Sequence, residues 1–139
     1  MALLPEVDKR KTINNVRDFF DNEFPRIMNM ADISYIDLKS PTISDMPSSP
    51  SYGNSSDEKF SNHTQAVTYL EAVVAAVKNM TQPHRHFMEL RYLQHKSWLQ
   101  IEELTGYSSR RGMEVIEEAF LLFADRFSDT YELRTMVQD

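Results

Sequence analysis

Wherever this chain is apolar, its apolar residues return every three or four positions. Ile13, Val16, Phe19, Phe20 and Phe24 recur in this way near the N-terminus. Phe60, Val67, Leu70, Val73, Val74 and Val77 mark a second such face, ending at Met80. Val115, Ile116, Ala119, Phe120, Leu122, Phe123 and Phe127 make a third and broader one. No alternating run bounded by tight turns reads as a strand. The pattern therefore predicts an all-α protein.

Helix signals and breakers divide the pattern. Pro25 is expected to kink or stop the first helix, with Ile27, Met28 and Met30 in one further turn. Residues 32–56 hold Pro41, Pro47 and Pro50 and many serines, without a helical period. The chain thus reads as an N-terminal helical arm (1–31), a Pro/Ser-rich connector (32–56) and a C-terminal helical domain (57–139). Ser55 and Glu58 have the capping-box spacing for the first helix of that domain. Thr81 is the expected cap of the next, which tolerates Pro83 in its first turn and carries Phe87, Met88, Leu90 and Tyr92. A second capping box, Ser97 with Gln100, opens a short helix holding Trp98, Ile101 and Leu104. Gly106 ends it where a left-handed residue is wanted, and Ser108 caps the long last helix. A final turn or two beyond residue 128 is expected to hold Leu133, Met136 and Val137.

Several chemistries are excluded by what is missing. Without cysteine there are no disulfides, thiolate zinc sites or cysteine nucleophiles. The three glycines, Gly53, Gly106 and Gly112, fit no phosphate-cradling loop. No serine stands in a G-x-S-x-G context. His84 and His86 are two apart and do not share a helix face, so with His95 they do not read as a metal site. Glu102-Glu103 and Glu117-Glu118 read as solvated faces. No enzyme activity and no cofactor are expected. No apolar run approaches the ~20 residues of a membrane span, and MALLPEVDKRK lacks the apolar core of a secretory signal. A cytoplasmic protein without a membrane partner is the expectation.

The net charge of −6 argues against loose, sequence-blind binding to a polyanion. The charge is unevenly spread, however. Residues 84–111 carry five Lys/Arg against three Glu, and residues 112–139 carry two Arg against seven acids. The basic stretch leads into two helices joined by a short glycine-containing turn, the description of a helix-turn-helix at 97–123. Ile101, Leu104, Tyr107, Val115 and Ala119 are apolar where such a motif packs inward. Its second helix opens Ser108-Ser109-Arg110-Arg111, and in such motifs that end meets the major groove. There the helix dipole favours phosphate and arginines reach base or phosphate oxygens. An ordinary helical hairpin with a solvated Arg pair fits the same pattern. Trp98 is expected to pack rather than to touch DNA. Gly112, in mid-helix, costs roughly 1 kcal/mol relative to alanine, so Gly112→Ala is expected to stabilise the fold.

The stretch MELRYLQHKSWLQIEELTGYSSRRGMEVIEEAFLLF resembles region 4 of bacterial sigma factors, without gaps over 97–123. Leu90-Arg91-Tyr92 is similar to the L-R-Y that precedes the motif there, and Ile101, Gly106, Ala119 and Phe120 fall on its framework positions. Nearly the whole chain resembles the ArpU family of phage late transcriptional regulators. LPEVDKRKTINNVRDFF resembles that family's start, DLKSPTISDMPSSPSYGN its D-L-K-S-P and M-P-x-x-P segments, and KSWLQIEELTGYS its K-S-W and G-Y-S. The resemblance implies a regulator that binds double-stranded promoter DNA, activates packaging and lysis genes, and acts with host RNA polymerase. It implies that Ser109, Arg110, Met113 and Glu114 face bases, that Ser108 caps the helix and donates to a phosphate, and that Arg111 and Lys96 contact phosphates. The sequence departs from the pattern at Gly112, where a larger packing residue is usual, and in the acids Glu114, Glu117 and Glu118. Those acids favour the rival class, a protein-interaction module acting on polymerase or another regulator without binding DNA itself.

The arm raises a question of assembly. Ile13, Val16, Phe19, Phe20, Phe24, Ile27 and Met28 are much apolar surface for one helix, and such surface must be buried somewhere. A homodimer with the arm in its interface is expected, since two copies on one duplex double the few base contacts of a single motif. The alternative is an arm folded back on its own C-terminal domain.

Overall fold

A computed structural model describes residues 3–33 and 57–138, with the backbone alone for 57–61. The connector beyond residue 33, the Ser55–Glu58 capping box and the side chain of Phe60 fall outside that description. Among the described residues the fold is helical, with no strand. Helix α1 is Lys9–Asp18, started by the Asp8 side chain, which accepts from the Lys11 N–H at 3.1 Å.

Pro25 does not stop this helix. The chain widens into a π-helical turn, Phe19–Glu23, in which the Phe24 N–H reaches back to the Phe19 carbonyl. It then continues as α2, Phe24–Ala31. A proline has no N–H to give and its ring crowds the preceding turn. The wider turn places Pro25 in the first turn of a new α segment, where neither defect matters. Asp32, in the left-handed region at φ 59°, closes α2, with the Ile33 N–H bonded to the Met28 carbonyl.

Helix α3 is Asp57–Lys78 and α4 is His84–Met88, followed by a second π-helical turn, Glu89–Leu93. Thr81 does not cap α4 with its side chain. Gln82 does so instead, its Oε1 accepting from the His86 N–H at 3.0 Å. Helices α5, Trp98–Thr105, and α6, Ser109–Phe127, complete the set.

Helix α6 is the centre of the molecule, in contact with α1, α3, α4 and α5, while α2 packs along α3. One apolar cluster runs through all of them. The arm supplies its Ile13, Val16, Phe19, Phe20, Phe24 and Met28, all buried. The ring of Phe20 lies 4.9 Å from Phe123 and 6.1 Å from Phe120, and Phe19 lies 5.3 Å from Phe127. The apolar face that was expected to meet a second copy is therefore covered by the same chain. A short arm helix gains more by closing this nearby core than by waiting for a partner, because the burial is intramolecular.

The C-terminal tail also departs from expectation. After a turn at 128–130 it runs extended rather than helical, and Val7 and Met136 form an isolated antiparallel bridge. The Asp8 N–H donates to the Thr135 carbonyl at 2.7 Å and the Val137 N–H to the Glu6 carbonyl at 2.8 Å. Asn15 Nδ2 donates to the Leu133 carbonyl, and the fully buried Thr12 hydroxyl accepts from the Thr135 N–H. Backbone partners from residues 6–8 replace those a helix would have made internally. The tail thereby straps α1 onto α6.

Candidate nucleic-acid interface

The geometry of α5 and α6 is set by three local features. The Ser97 hydroxyl accepts from the Gln100 N–H, and the Gln100 side chain accepts from the Ser97 N–H, a complete capping box. Gly106 turns the chain at φ 77°, a conformation that costs L side chains energy. The Ser108 hydroxyl then accepts from the Arg111 N–H at 3.1 Å and starts α6. Ile101 is buried between the helices, together with Val115 and Ala119. Tyr107, in the turn, stands edge-on to Phe87 with ring centres 4.9 Å apart. Leu104 departs from expectation: it is 60% exposed and does not pack inward. Helix α5 is only two turns long, and Ile101 alone occupies its buried stripe.

Gly112 is buried, and the reason is Trp98. A Cβ added at Gly112 would stand 2.8 Å from Trp98 Cζ3 and 3.2 Å from Phe87 Cε2. The missing side chain is what lets the indole of α5 lie against α6. Against the expectation that Gly112→Ala stabilises, a methyl placed here would press on the indole ring. Trp98 packs as expected, with the Arg91 guanidinium 5.1 Å over its ring.

On α6 at 100° per residue, Gly112, Val115, Ile116 and Ala119 share the buried side, Arg110, Met113, Glu114 and Glu117 share the opposite one, and Ser109 falls between them on a flank. Arg110, Met113 and Glu114 are exposed, and among the described residues none of their side chains makes an ion pair or a hydrogen bond. Ser109 is tied down, its hydroxyl donating to Glu102 Oε2 at 3.0 Å. Arg111 lies to the flank, 3.8 Å from Glu118 Oε2. Lys96 is the outlier among the predicted site residues. It precedes α5, and its backbone is engaged with the Leu90 carbonyl and Arg91 Nη1. The length of α5, about 12 Å, separates it from the Ser108 cap.

Unlike Glu114, the acids Glu117 and Glu118 are engaged by basic groups, which the sequence does not reveal. Glu117 Oε2 accepts from Arg17 Nη2 at 3.0 Å and Arg10 Nη1 at 3.2 Å, and these bonds hold its carboxyl below the ordinary glutamate range. Glu118 is lowered as well, chiefly by its 2.9 Å hydrogen bond with His84 Nε2 and further by Arg111. The signal was present only as charge complementarity between segments 100 residues apart, which no local pattern reveals. Among the described residues no cluster of three or more His, Asp and Glu is placed to hold a metal ion, and no helix is long and apolar enough to cross a membrane.

Comparison with known proteins places these features in a family. No family model matches the chain, and no solved structure matches it. It is 33% identical over 129 residues to a protein of Enterococcus hirae named "Putative autolysin regulatory protein ArpU". The match covers 91% of this chain and 93% of that relative.

Proposed function

The chain belongs to the ArpU family of regulatory proteins, and we propose that it regulates transcription by binding double-stranded promoter DNA through α5 and α6 as a helix-turn-helix. One observation carries the reading. The first two turns of α6 present Arg110, Met113 and Glu114 outward and, among the described residues, unpartnered, on a helix end fixed by Gly106 and Ser108. That is the end of a recognition helix that meets the major groove. Arg110 can donate two hydrogen bonds to guanine, Glu114 can accept from cytosine N4, and Met113 can meet a thymine methyl. Ser109 is placed beside them. Ser108, Arg111 and Lys96 are assigned to phosphates, where charge and N–H groups position the protein without reading sequence. The pairing of Glu117 with Arg17 and Arg10 supports the reading, since it removes the repulsion that acid would exert on the duplex.

The proposed role is late-gene activation, packaging and lysis genes being the targets the family resemblance implies, in the cytoplasm of a bacterial host. Two copies on one operator are part of the proposal. Their interface then lies outside the apolar side of the arm, which is already covered. A second reading, a module that binds RNA polymerase or another regulator without touching DNA, has its own observation. Leu99 and Leu104 leave apolar surface open on α5.

A gel-shift and salt titration with the promoter region separates the two. The Arg110→Ala/Arg111→Ala double variant is expected to stay folded and to lose about 1–3 kcal/mol for each base contact removed. Unchanged affinity in the folded double variant rejects the DNA reading and leaves the protein-partner one.

A further inference from the structure

Three basic residues open helix α1, and their position is physically odd. Lys9, Arg10 and Lys11 sit in its first turn, where the helix macrodipole is positive and the capping Asp8 carboxylate offsets only part of their charge. All three are exposed, and among the described residues the ammonium groups of Lys9 and Lys11 have no partner. Arg10 is paired, but with a carboxylate already engaged by Arg17. Two guanidinium groups on one oxygen of Glu117 leave a unit of positive charge in excess. The chain as a whole is acidic, so this concentration of cations is not a general feature of its surface.

The location gives the cluster a meaning. Glu117 lies two turns beyond Arg110 on the same side of α6, about 10 Å along the helix axis. The major groove is about 12 Å wide, so a helix lying in it has a phosphate backbone along each wall. We propose that the first turn of α1 is a second phosphate-binding element of the DNA interface, in which Arg10, supported by Lys9 and Lys11, grips the backbone beside the recognition helix. This rests on the reading of α6 as that helix. Surface ion pairs are weak, typically ~0–1 kcal/mol, so a phosphate can draw Arg10 from Glu117 at little cost. Arg17 remains on Glu117 and keeps it neutralised. Arg10 and Arg17 are one face of α1, two turns apart, so a single carboxylate holds one arginine and lends the other.

The test measures binding of the full chain to a mixed-sequence DNA duplex by fluorescence anisotropy across a salt series. Each phosphate contact contributes about 0.9 to the slope of log affinity against log salt. Arg10→Ala is expected to lower that slope by about one and to weaken binding roughly five- to tenfold near 0.1 M salt. Lys9→Ala/Lys11→Ala lowers the slope further. Glu117→Gln, which releases both arginines, tightens binding, an outcome that a merely structural bridge does not give. Circular dichroism confirms the fold of each variant. Unchanged slope and affinity in Arg10→Ala overturn the proposal. If Arg110→Ala/Arg111→Ala still loses binding in that case, the recognition-helix reading stands without it. If the native chain binds no duplex even at low salt, both fall.

Discussion

Helix α6 has two ends that the chain treats differently. Its C-terminal half is enclosed: Phe120, Phe123 and Phe127 are buried and ringed by Phe19, Phe20 and Tyr92. Its N-terminal half rests on α5 and α4 through Trp98 and Phe87, and leaves its opposite side bare. The difference teaches that one helix can be both anchor and probe. Dense packing at one end holds the axis, and sparse packing at the other frees side chains for a partner. A recognition element gains precision in this way, because its orientation is fixed by residues that never meet the ligand.

The largest expected effect is at the anchored end. Phe123→Ala removes a ring with neighbours at 4.9 Å (Phe20), 5.0 Å (Phe127) and 6.0 Å (Phe19). It should lower unfolding free energy by about 3–5 kcal/mol in denaturant titration. Met113→Ala at the free end should stay within about 0.5 kcal/mol of native. Equal losses at the two sites would erase the distinction between the ends.

A smaller effect is expected within the N-terminal half, at Gly112, where α6 rests on α5. Overpacking against Trp98 costs about 1–3 kcal/mol, and alanine's better helix propensity returns about 1 kcal/mol. Gly112→Ala should therefore destabilise modestly and shift the emission of the single tryptophan. A raised melting temperature with unchanged emission would show that the indole moves aside freely.

The smallest effect concerns pH. Glu117 has its folded-state carboxyl lowered by Arg17 and Arg10. The stabilisation is fully present above the ordinary glutamate value near ~4.3 and is lost as pH falls through the lowered folded value. Glu117→Gln should lower stability slightly at neutral pH, match the native chain at low pH, and so flatten the acid limb of the stability curve. A native-like acid limb in that variant would assign the limb to other carboxylates.

Local signals in the sequence were dependable where the physics is local. The Ser97–Gln100 box, the left-handed Gly106 and the Ser108 cap all depend on neighbours within a few residues, and each is found as read. Pro25, read as a kink or a stop, interrupts the α geometry without ending the helix, because a π-helical turn accommodates the proline. Leu104 failed as a core residue because helical period identifies a face and not whether a partner covers it. The tail beyond residue 130 failed as a helix because its hydrogen-bond partners lie at residues 6–15, far away in sequence. Gly112 reads as a defect until Trp98 is placed against it. At the candidate site, the resemblance to sigma region 4 pointed to Arg110, Met113 and Glu114, which are exposed, and to Ser109, which is half-buried; nothing in the sequence pointed to the arginines of the arm.

The strap between the tail and α1 has a consequence for synthesis. Thr12 and Thr135 are 123 positions apart, and Arg17 and Glu117 are 100 apart. A ribosome adds about 5–20 residues per second, so the arm emerges roughly 5–20 s before the helix that covers it. During that interval Phe19, Phe20 and Phe24 have no native cover from α6. The N-terminal end of α6 emerges before the aromatic residues that anchor the helix, so that end acquires its fixed orientation only when the last part of the core has closed.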